Sequence, residues 1–225
     1  MTAPEALAFD MYGTLVDPIE ISDRLAEYLP ENALRVAEIW RQTQLELSWR
    51  VTLMERYESF EALTRKALDH ALAAVGRTLD VEQKEALMAR YGQLERFPDV
   101  IPGLKRLRQA GHAMVVFSNG NPSMLAATMS SAELDSYFDD VISVEEVGRY
   151  KPAPAAYLHV ASRLGRPIED VRLVSSNPFD DVGAEAAGMK AAWVNRSGGL
   201  FDPLGPPPEI VVETLTELAD ALAAR

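Results

Sequence analysis

Asp10 is the residue of this chain best placed to do chemistry. It follows a short apolar run, Leu7 to Phe9, and precedes a turn that contains Gly13. Such a run is typical of a buried parallel strand, and ligands bind at the carboxyl ends of these strands in open α/β sheets. A carboxylate at that place can act as a nucleophile and carry a covalent intermediate. The alternative is an aspartate that only opens a turn.

A second polar group follows the apolar run from Ala113 to Phe117. It consists of Ser118, Asn119 and Gly120. A small hydroxyl and an amide beside a flexible glycine can bind an anion through side chains and backbone N–H groups. Taken alone, Asn-Gly indicates only a turn.

Lys151 stands in a segment that Pro152 and Pro154 stiffen, and Pro154 is expected to open the following helix. A fixed cation beside Asp10 would hold that carboxylate ionised and oriented. Most lysines are solvated surface charges. The two prolines favour the functional interpretation.

A third polar group, Ser175 to Asp181, comes directly after the apolar run Val171 to Val174. It brings the amide of Asn177 and the carboxylate of Asp180 to another predicted strand end. Because the carboxyl ends of parallel strands meet at one edge of a sheet, we expect these groups to lie near Asp10.

The motifs resemble those of the haloacid dehalogenase superfamily. Its phosphatases read Asp-x-Asp-x-Thr at the first motif and use the second aspartate to protonate the leaving alcohol; here Tyr12 takes that position and Thr14 keeps the threonine. In the fourth motif, Gly-Asp-Ser-x-x-Asp, Ser176 replaces an aspartate that holds magnesium and Asp180 remains. Asp10, Asp180 and neutral oxygens provide poorly for a hard cation. Halide needs no acid because it leaves as a stable anion, so we expect displacement of halide without a metal or cofactor.

Over nearly its whole length the chain is similar to the type II L-2-haloacid dehalogenases. The residues that carry this resemblance are Phe9 to Leu15, Trp40-Arg41-Gln42, Ser118-Asn119-Gly120, Lys151-Pro152, Tyr157 and Ser175-Ser176-Asn177. It implies hydrolytic dehalogenation of short (S)-2-haloalkanoic acids to (R)-2-hydroxyalkanoic acids through an ester on Asp10. It also implies a homodimer, with the haloacid and halide as small-molecule partners.

The resemblance assigns a catalytic role to five residues: Asp10, Thr14, Arg41, Lys151 and Asp180. Asp10 attacks the substrate, Lys151 keeps it anionic, and Asp180, positioned by Asn177, activates the water that hydrolyses the ester. Without the resemblance, Arg41 would be interpreted as a solvated flank of an apolar helix stripe. With it, Arg41 is expected to reach the leaving halide.

A second set is expected to contact the substrate: Met11, Tyr12, Arg41, Ser118, Asn119, Tyr157, Ser175, Asn177 and Phe179. Ser118, Ser175 and the N–H groups after Asp10 would hold the substrate carboxylate. Tyr157 would otherwise be interpreted as a half-buried packing residue. Phe179 departs from the family, which commonly has tryptophan there, and it is expected to form a pocket wall.

Two other functions stay open at this point. One is a magnesium-dependent phosphatase with unusual ligands, since fold alone does not fix function. The other is a catalytically degenerate family member that acts as a binding protein. Retention of Asp10, Arg41, Lys151 and Asp180 together favours an enzyme.

Short apolar runs separated by helical stretches predict an α/β fold with a Rossmann-like parallel sheet. The first two runs, Leu7 to Phe9 and Ala113 to Phe117, stand about a hundred residues apart, far beyond an ordinary crossover. We therefore expect an inserted all-helical cap subdomain at residues 17–97 and a core domain formed by residues 1–16 and 98–225.

Apolar spacing predicts the helices of this insertion. Val36, Trp40, Thr43, Leu47, Val51 and Met54 form one stripe, with Asn32 as a candidate cap. A second helix is expected from Phe60 to Gly76. Asp80 and Gln83 predict a capping box for a third helix.

Bulk composition limits the possible partners. The net charge of −12 argues against nucleic acid, whose phosphates require a basic surface, and it means that an anionic substrate must be attracted locally. The absence of cysteine excludes disulfides and thiolate chemistry and suits a reducing cytosol. With no membrane-length apolar stretch and no secretory signal, we expect a cytoplasmic protein that binds no membrane.

Overall fold

A computed structural model describes residues 4–225, which form a six-stranded parallel sheet with helices around it. The strands are β1 Ala6–Phe9, β2 Ala113–Ser118, β3 Asp140–Ser143, β4 Val171–Ser175, β5 Lys190–Val194 and β6 Ile210–Val212. Their order in the sheet is β3-β2-β1-β4-β5-β6. The predicted parallel α/β fold is confirmed, and the polar groups after β1, β2 and β4 lie at neighbouring positions on one edge.

The central strand β1 is wholly buried and pairs in register with both neighbours. Ala6 is opposite Ala113 of β2 and Val171 of β4. From the centre of the sheet, β1, β2 and β3 follow one another towards one edge, and β4, β5 and β6 follow one another towards the other edge. Such a reversal of strand order opens a crevice at the carboxyl ends of the strands.

Nine α-helices lie within the described residues. They are α1 Ile21–Ala26, α2 Ala33–Leu53, α3 Phe60–Ala74, α4 Val81–Tyr91, α5 Val100–Gln109, α6 Pro122–Ser131, α7 Pro154–Arg163, α8 Pro178–Ala186 and α9 Leu215–Ala223. The first five fall between β1 and β2, and α1 to α4 lie within residues 17–97, so helices are inserted where the sequence predicted them. The boundaries of this insertion at residues 17 and 97 stay a prediction, and residues 1–3 of the expected core segment lie outside the described residues.

Local sequence signals explain several helix ends. The capping box of α4 is formed by Asp80 and Gln83, as predicted, and Pro154 is the first residue of α7. The side chain of Asn32 does not cap α2; its Oδ1 instead accepts a hydrogen bond from Arg77 Nε at 3.4 Å. Asn32 still stands at the helix start, so the position was predicted and the bonding was not.

The apolar stripe predicted for α2 extends one residue beyond the end of the helix. The helix stops at Leu53, and Met54 is an exposed residue of the following turn. The next residue, Glu55, has a positive φ of 55°, which takes the chain out of the helix. Met54 is therefore not part of the buried face.

The chain leaves and re-enters the sheet domain along two adjacent segments. Val16 bridges to Arg96 in antiparallel fashion, and the Phe97 N–H donates to the Leu15 carbonyl at 3.1 Å. These crossing segments begin only a few residues after Asp10. No helix within residues 4–225 has both the length and the apolarity needed to cross a membrane.

Candidate active site

The Asp10 carboxylate is fixed at the carboxyl edge of the sheet. The Asp10 N–H donates to the Val174 carbonyl at 3.0 Å, which extends the pairing of β1 with β4 by one residue. A turn follows in which Gly13 adopts a φ of 94° and donates to Val16 O at 2.7 Å. Glycine suits this turn because other residues rarely adopt such a φ. The side chain of Asp10 is buried and faces the groups that follow the neighbouring strands.

Three side chains donate hydrogen bonds to Asp10. Lys151 Nζ binds Oδ1 at 3.2 Å, while Thr14 Oγ1 and Asn177 Nδ2 bind Oδ2 at 3.1 and 2.8 Å. The Ser176 N–H donates to Thr14 Oγ1 at 2.8 Å, which leaves the threonine proton directed at the carboxylate. The orientation of Asp10 is therefore set by groups from three separate parts of the chain.

Lys151 is a buried ammonium with all three protons used. Besides Asp10, its Nζ donates to Asp180 Oδ2 at 2.9 Å and to the Phe117 carbonyl at 2.7 Å, and it lies 4.2 Å from the Phe117 ring centroid. Burial alone would lower the pKa of Lys151, but the carboxylates of Asp10 and Asp180 outweigh it and raise that pKa. Lys151 therefore stays charged and bridges the two carboxylates, as expected of a cation beside Asp10.

Asp180 lies in the first turn of α8 and is wholly buried. Tyr157 Oη donates to its Oδ1 at 2.7 Å, and Lys151 binds its other oxygen. Burial raises the pKa of the Asp180 carboxyl, and Lys151 opposes that shift. A carboxylate of raised pKa is a better proton acceptor than an ordinary aspartate. Burial also raises the pKa of Tyr157 well above its usual value, so its hydroxyl remains a donor.

The expectation that Asn177 positions Asp180 stays a prediction, and the side chain of Asn177 contacts other groups. Asn177 Nδ2 binds Asp10 and the Tyr12 carbonyl, the latter at 3.1 Å. Asp180 contacts Asn177 only through the backbone, by an N–H···O bond of 2.9 Å. Asn177 precedes α8 in an extended conformation and does not cap the helix with its side chain. The amide is consequently free to hold the nucleophile turn.

Arg41 reaches this turn from α2. Its Nη2 donates to the Tyr12 carbonyl at 3.1 Å, and its Nη1 donates to Gln44 Oε1 at 2.8 Å. Gln44 is wholly buried, and its amide is held by Tyr91 Oη at 3.0 Å and Thr64 Oγ1 at 2.6 Å. The sequence-based prediction did not include Gln44. The available signal was a polar residue three positions after Arg41, one turn of the helix after Trp40.

Polar residues at the carboxyl ends of β2 and β4 complete the edge. The hydroxyl oxygens of Ser118 and Ser175 each accept the backbone N–H two residues later, at 3.2 and 3.1 Å. Asn119 Oδ1 accepts the Lys151 N–H at 3.0 Å. All three side chains are buried next to the residues that bind Asp10. The structure thus gathers the polar residues that the sequence placed at strand ends.

Aromatic residues enclose the site. The Tyr12 ring is buried against Phe60 and Tyr91, with centroids 6.1 and 5.7 Å away. Burial raises the pKa of the Tyr12 hydroxyl far above its usual value, which makes this hydroxyl a poor proton donor. Met11 is a wholly buried core side chain.

Phe179 forms the wall of an apolar cavity of about 520 Å³. Its ring meets Trp49 of α2 edge to face, with a centroid distance of 5.3 Å. Pro152 and Leu204 also line this cavity. The role of Phe179 as a wall of the substrate pocket stays a prediction. Trp49, a large side chain from the helical insertion, was not identified from the sequence.

Gly183 permits the close packing behind Asp180. A Cβ atom at this position of α8 would lie 2.5 Å from Pro152 Cβ and 2.6 Å from Tyr157 Oη. Both distances are too short for any side chain. A glycine within a helical pattern was the signal for this contact.

No group of three or more His, Cys, Asp or Glu side chains within residues 4–225 is arranged to hold a metal ion. The site described above instead consists of two carboxylates joined by one lysine, with donors on Asp10 and an arginine at the turn. A family model of the haloacid dehalogenase-like hydrolases matches residues 4–188. The chain belongs to this family of hydrolases.

Relatives of this hydrolase match it over nearly the whole chain. The (S)-2-haloacid dehalogenase of Pseudomonas putida is 34% identical over 97% of this chain and 96% of the relative. Haloacetate dehalogenase H-2 of Moraxella sp. (strain B) is 35% identical over 97% of this chain and 98% of the relative. The solved L-2-haloacid dehalogenase of Xanthobacter autotrophicus with chloropropionic acid covalently bound has a TM-score of 0.91 and 32% identity, and covers 98% of this hydrolase and 99% of that chain.

Proposed function

We propose that this hydrolase converts short (S)-2-haloalkanoic acids to (R)-2-hydroxyalkanoic acids through an ester on Asp10. The observation that carries the proposal is the buried array in which Lys151 joins Asp10 to Asp180. It combines an oriented nucleophile with a second carboxylate suited to take up a proton. The name of the Pseudomonas relative, and the chloropropionic acid bound covalently in the Xanthobacter structure, support the same reaction.

In the first step, the Asp10 carboxylate attacks C2 of the substrate opposite the halogen. A carbon–oxygen bond forms, the carbon–halogen bond breaks, and its electron pair leaves with the halide. Configuration at C2 inverts. Lys151, Thr14 and Asn177 hold the carboxylate in line, and orientation of this kind supplies much of an enzyme's rate enhancement. No proton is needed, which is consistent with a tyrosine at position 12.

We assign stabilisation of the departing halide to Arg41, with Asn119 assisting. The Arg41 guanidinium is fixed at the Tyr12 carbonyl, two residues from the nucleophile. A charge placed beforehand where negative charge develops stabilises the transition state without reorganisation. In a chain of net charge −12, such a local cation also attracts the anionic substrate.

The substrate carboxylate is assigned to the edge of the sheet. Ser118, Ser175 and the N–H groups of Met11 and Tyr12 supply donors at the ends of three adjacent strands. The alkyl side of the substrate is assigned to the wall formed by Phe179. Tyr157 contributes to this pocket by holding Asp180.

In the second step, Asp180 removes a proton from water, and the resulting hydroxide attacks the ester carbonyl of Asp10. The acyl carbon–oxygen bond breaks, and the departing alkoxide takes the proton of the new carboxyl group, so the 2-hydroxy acid leaves and Asp10 is regenerated as a carboxylate. Asp180 then releases its proton to solvent. Lys151 and Tyr157 hold both oxygens of Asp180 during this step. General-base assistance of this kind is worth about 10² to 10⁴ in rate.

Release of halide from (S)-2-chloropropionate in the presence of EDTA tests the proposal. We expect halide and (R)-lactate in equal amounts, lost in the matched variant Asp10→Asn. Halide release that EDTA abolishes, or (S)-lactate as product, would contradict it. Hydrolysis of a generic phosphate ester with magnesium would support the phosphatase alternative instead, and inactivity towards both substrate classes would support a binding protein.

We also propose that the protein is a homodimer. Leu53 at the end of α2 and Leu204 are both largely exposed, and both line the cavity beside Phe179. Exposed apolar residues that cluster in this way are typical of interaction surfaces. Light scattering after size exclusion should give twice the mass of the 24.8 kDa chain. A monomer at that step would refute the proposal.

We further propose that residues 17–97 act as a lid over the core formed by residues 1–16 and 98–225, and that the protein works in the cytoplasm. The adjacent crossing segments at Val16 and Arg96 suit a hinge, and the lack of cysteine suits a reducing compartment. Lid opening that limits turnover would make kcat fall as solvent viscosity rises. Cell fractionation tests the location.

A further inference from the structure

We propose that Arg196 is a positioning residue that holds the nucleophile turn through the backbone of Thr14. This inference rests on the proposed function, because it concerns the alignment of Asp10 for attack. Arg196 follows β5 and is separated from Thr14 by 182 positions along the sequence. None of the motifs that point to the active site includes it.

The guanidinium of Arg196 donates two hydrogen bonds to one carbonyl oxygen. Its Nε donates to Thr14 O at 3.1 Å and its Nη2 donates to the same oxygen at 2.8 Å. The side chain is only 12% exposed. Two donors in a rigid fork fix the carbonyl oxygen in position, which a single flexible ammonium does not do.

Thr14 passes this constraint to the nucleophile. Its hydroxyl donates to Asp10 Oδ2, and its hydroxyl oxygen accepts the Ser176 N–H. Displacement of the Thr14 backbone would therefore move a donor away from the attacking carboxylate. Arg196 contacts neither Asp10 nor Lys151 by hydrogen bond, so its influence on the reaction is indirect.

Arg196 is itself fixed from the opposite side. Its Nη1 pairs with Asp99 Oδ1 at 2.7 Å, and its guanidinium lies 4.1 Å from the Phe97 ring centroid. The other oxygen of Asp99 accepts the Leu215 N–H at 2.7 Å at the start of α9. Phe97 and Asp99 belong to the segment that returns from the helical insertion. Arg196 thus braces the nucleophile turn against this return segment.

The pairing with Asp99 also bears on a competing role. Arg196 lines a groove of about 410 Å³ together with Arg41 and Asn177, a position that would also suit a cation that binds the substrate. Its charge is already neutralised by Asp99, and two of its nitrogens are occupied by Thr14. Positioning predicts a loss in kcat, whereas substrate binding predicts a rise in KM.

The test compares Arg196→Gln and Arg196→Lys with wild type, using (S)-2-chloropropionate. Arg196→Lys keeps the charge facing Asp99 and loses the fork. We expect kcat to fall by about 10²-fold in Arg196→Gln, because a misplacement of about 1 Å has that effect, and by about tenfold in Arg196→Lys. KM should stay close to the wild-type value in both. Single-turnover measurements should show that ester formation, and not its hydrolysis, is slowed.

Arg172 provides a matched control at the other end of the sheet. It is also buried, pairs with Glu5 at 2.7 Å and donates to the Ala191 carbonyl at 2.9 Å. Arg172→Gln removes the same kinds of contact far from Asp10. We expect it to lower the melting temperature at least as much as Arg196→Gln does, while kcat stays near the wild-type value.

The outcomes separate this inference from the proposed function. If wild type releases no halide from any 2-haloacid, the proposed function fails and the inference falls with it. If wild type is active but Arg196→Lys has an unchanged kcat, the inference alone is overturned. Arg196→Lys tests the two-donor contact even if Arg196→Gln does not fold. A raised KM with unchanged kcat would assign Arg196 to substrate binding. If Arg172→Gln lost as much kcat as Arg196→Gln, the effect of Arg196 would be one of general stability and not of positioning.

Discussion

Asp181, the residue after the proposed base, is a buried carboxyl group that lowers the stability of the fold. It lies in α8 and is wholly buried, and neither carboxyl oxygen has a hydrogen-bond partner among residues 4–225. Burial raises the pKa of Asp181 well above its usual value, and the neighbouring Asp180 and Glu185 raise it further. The folded protein therefore favours the protonated form of this group more than the unfolded chain does.

The size of the effect follows from these contacts. A buried polar group without a partner costs about 1–3 kcal/mol. Asp181→Ala removes both oxygens and leaves a small cavity, which offsets part of the gain. We expect a net stabilisation of about 1–2 kcal/mol at neutral pH. In a chain of this size that corresponds to a rise in melting temperature of roughly 2–8 °C.

The effect should depend on pH with a definite sign. Because the pKa of Asp181 is higher in the folded than in the unfolded state, its favourable contribution is complete below the unfolded pKa of about 3.9. That contribution is lost as pH rises from the unfolded pKa through the folded pKa, because over this range the unfolded chain releases the proton while the folded protein retains it. The advantage of Asp181→Ala should therefore grow from acid to neutral pH.

Thermal unfolding at about pH 4 and about pH 8 measures both quantities. Asp135→Ala, which removes an exposed carboxyl group, serves as the control and should leave the melting temperature almost unchanged at both values. A lower melting temperature for Asp181→Ala at about pH 8 would show that the carboxylate is charged and stabilising. A gain that is equal at both pH values would refute the linkage to protonation.

Three further substitutions test the array around Asp10. Lys151→Met leaves Asp10 and Asp180 without their shared cation. Because breaking such a buried pair costs about 3–5 kcal/mol, urea unfolding should show that loss of stability, and halide release should disappear. Retained turnover would contradict the assignment. Tyr157→Phe removes the donor to Asp180 Oδ1, and because a hydrogen bond to a charged group is worth about 1.5–3 kcal/mol, kcat should fall by at least about tenfold with KM little changed; an unchanged kcat would limit Tyr157 to packing. Gly183→Ala places a Cβ 2.6 Å from Tyr157 Oη, so it should lower both the melting temperature and kcat, and an unaffected kcat would show that α8 shifts without disturbing the base.

The strand ends were the part of the site that the sequence could predict. Asp10, Ser118 and Ser175 each follow an apolar run, and parallel strands necessarily bring such positions to one edge. The role of Lys151 beside Asp10 was implied by the family resemblance, and the stiffened segment favoured it. The inference about the strand ends requires only local patterns and the topology of an α/β sheet.

The remaining contacts depend on geometry that the sequence does not encode locally. The side-chain contacts of Asn177 were not predicted because they are set by the backbone conformation just before α8. Gln44 and Arg196 were not predicted because each binds residues distant along the chain and belongs to no recognisable spacing. The end of α2 was misplaced because the positive φ of Glu55 overrides the apolar period that Met54 continues.

The ester on Asp10 is most directly tested by mass spectrometry of Asp180→Asn after incubation with (S)-2-chloropropionate. This variant keeps the nucleophile and loses the proton acceptor, so the ester should form and persist. We expect the peptide that contains Asp10 to gain the mass of a 1-carboxyethyl group, with halide released once per active site; Asp10→Asn should show neither. An unmodified Asp10 peptide, in a variant whose wild-type parent releases halide, would contradict covalent catalysis by Asp10.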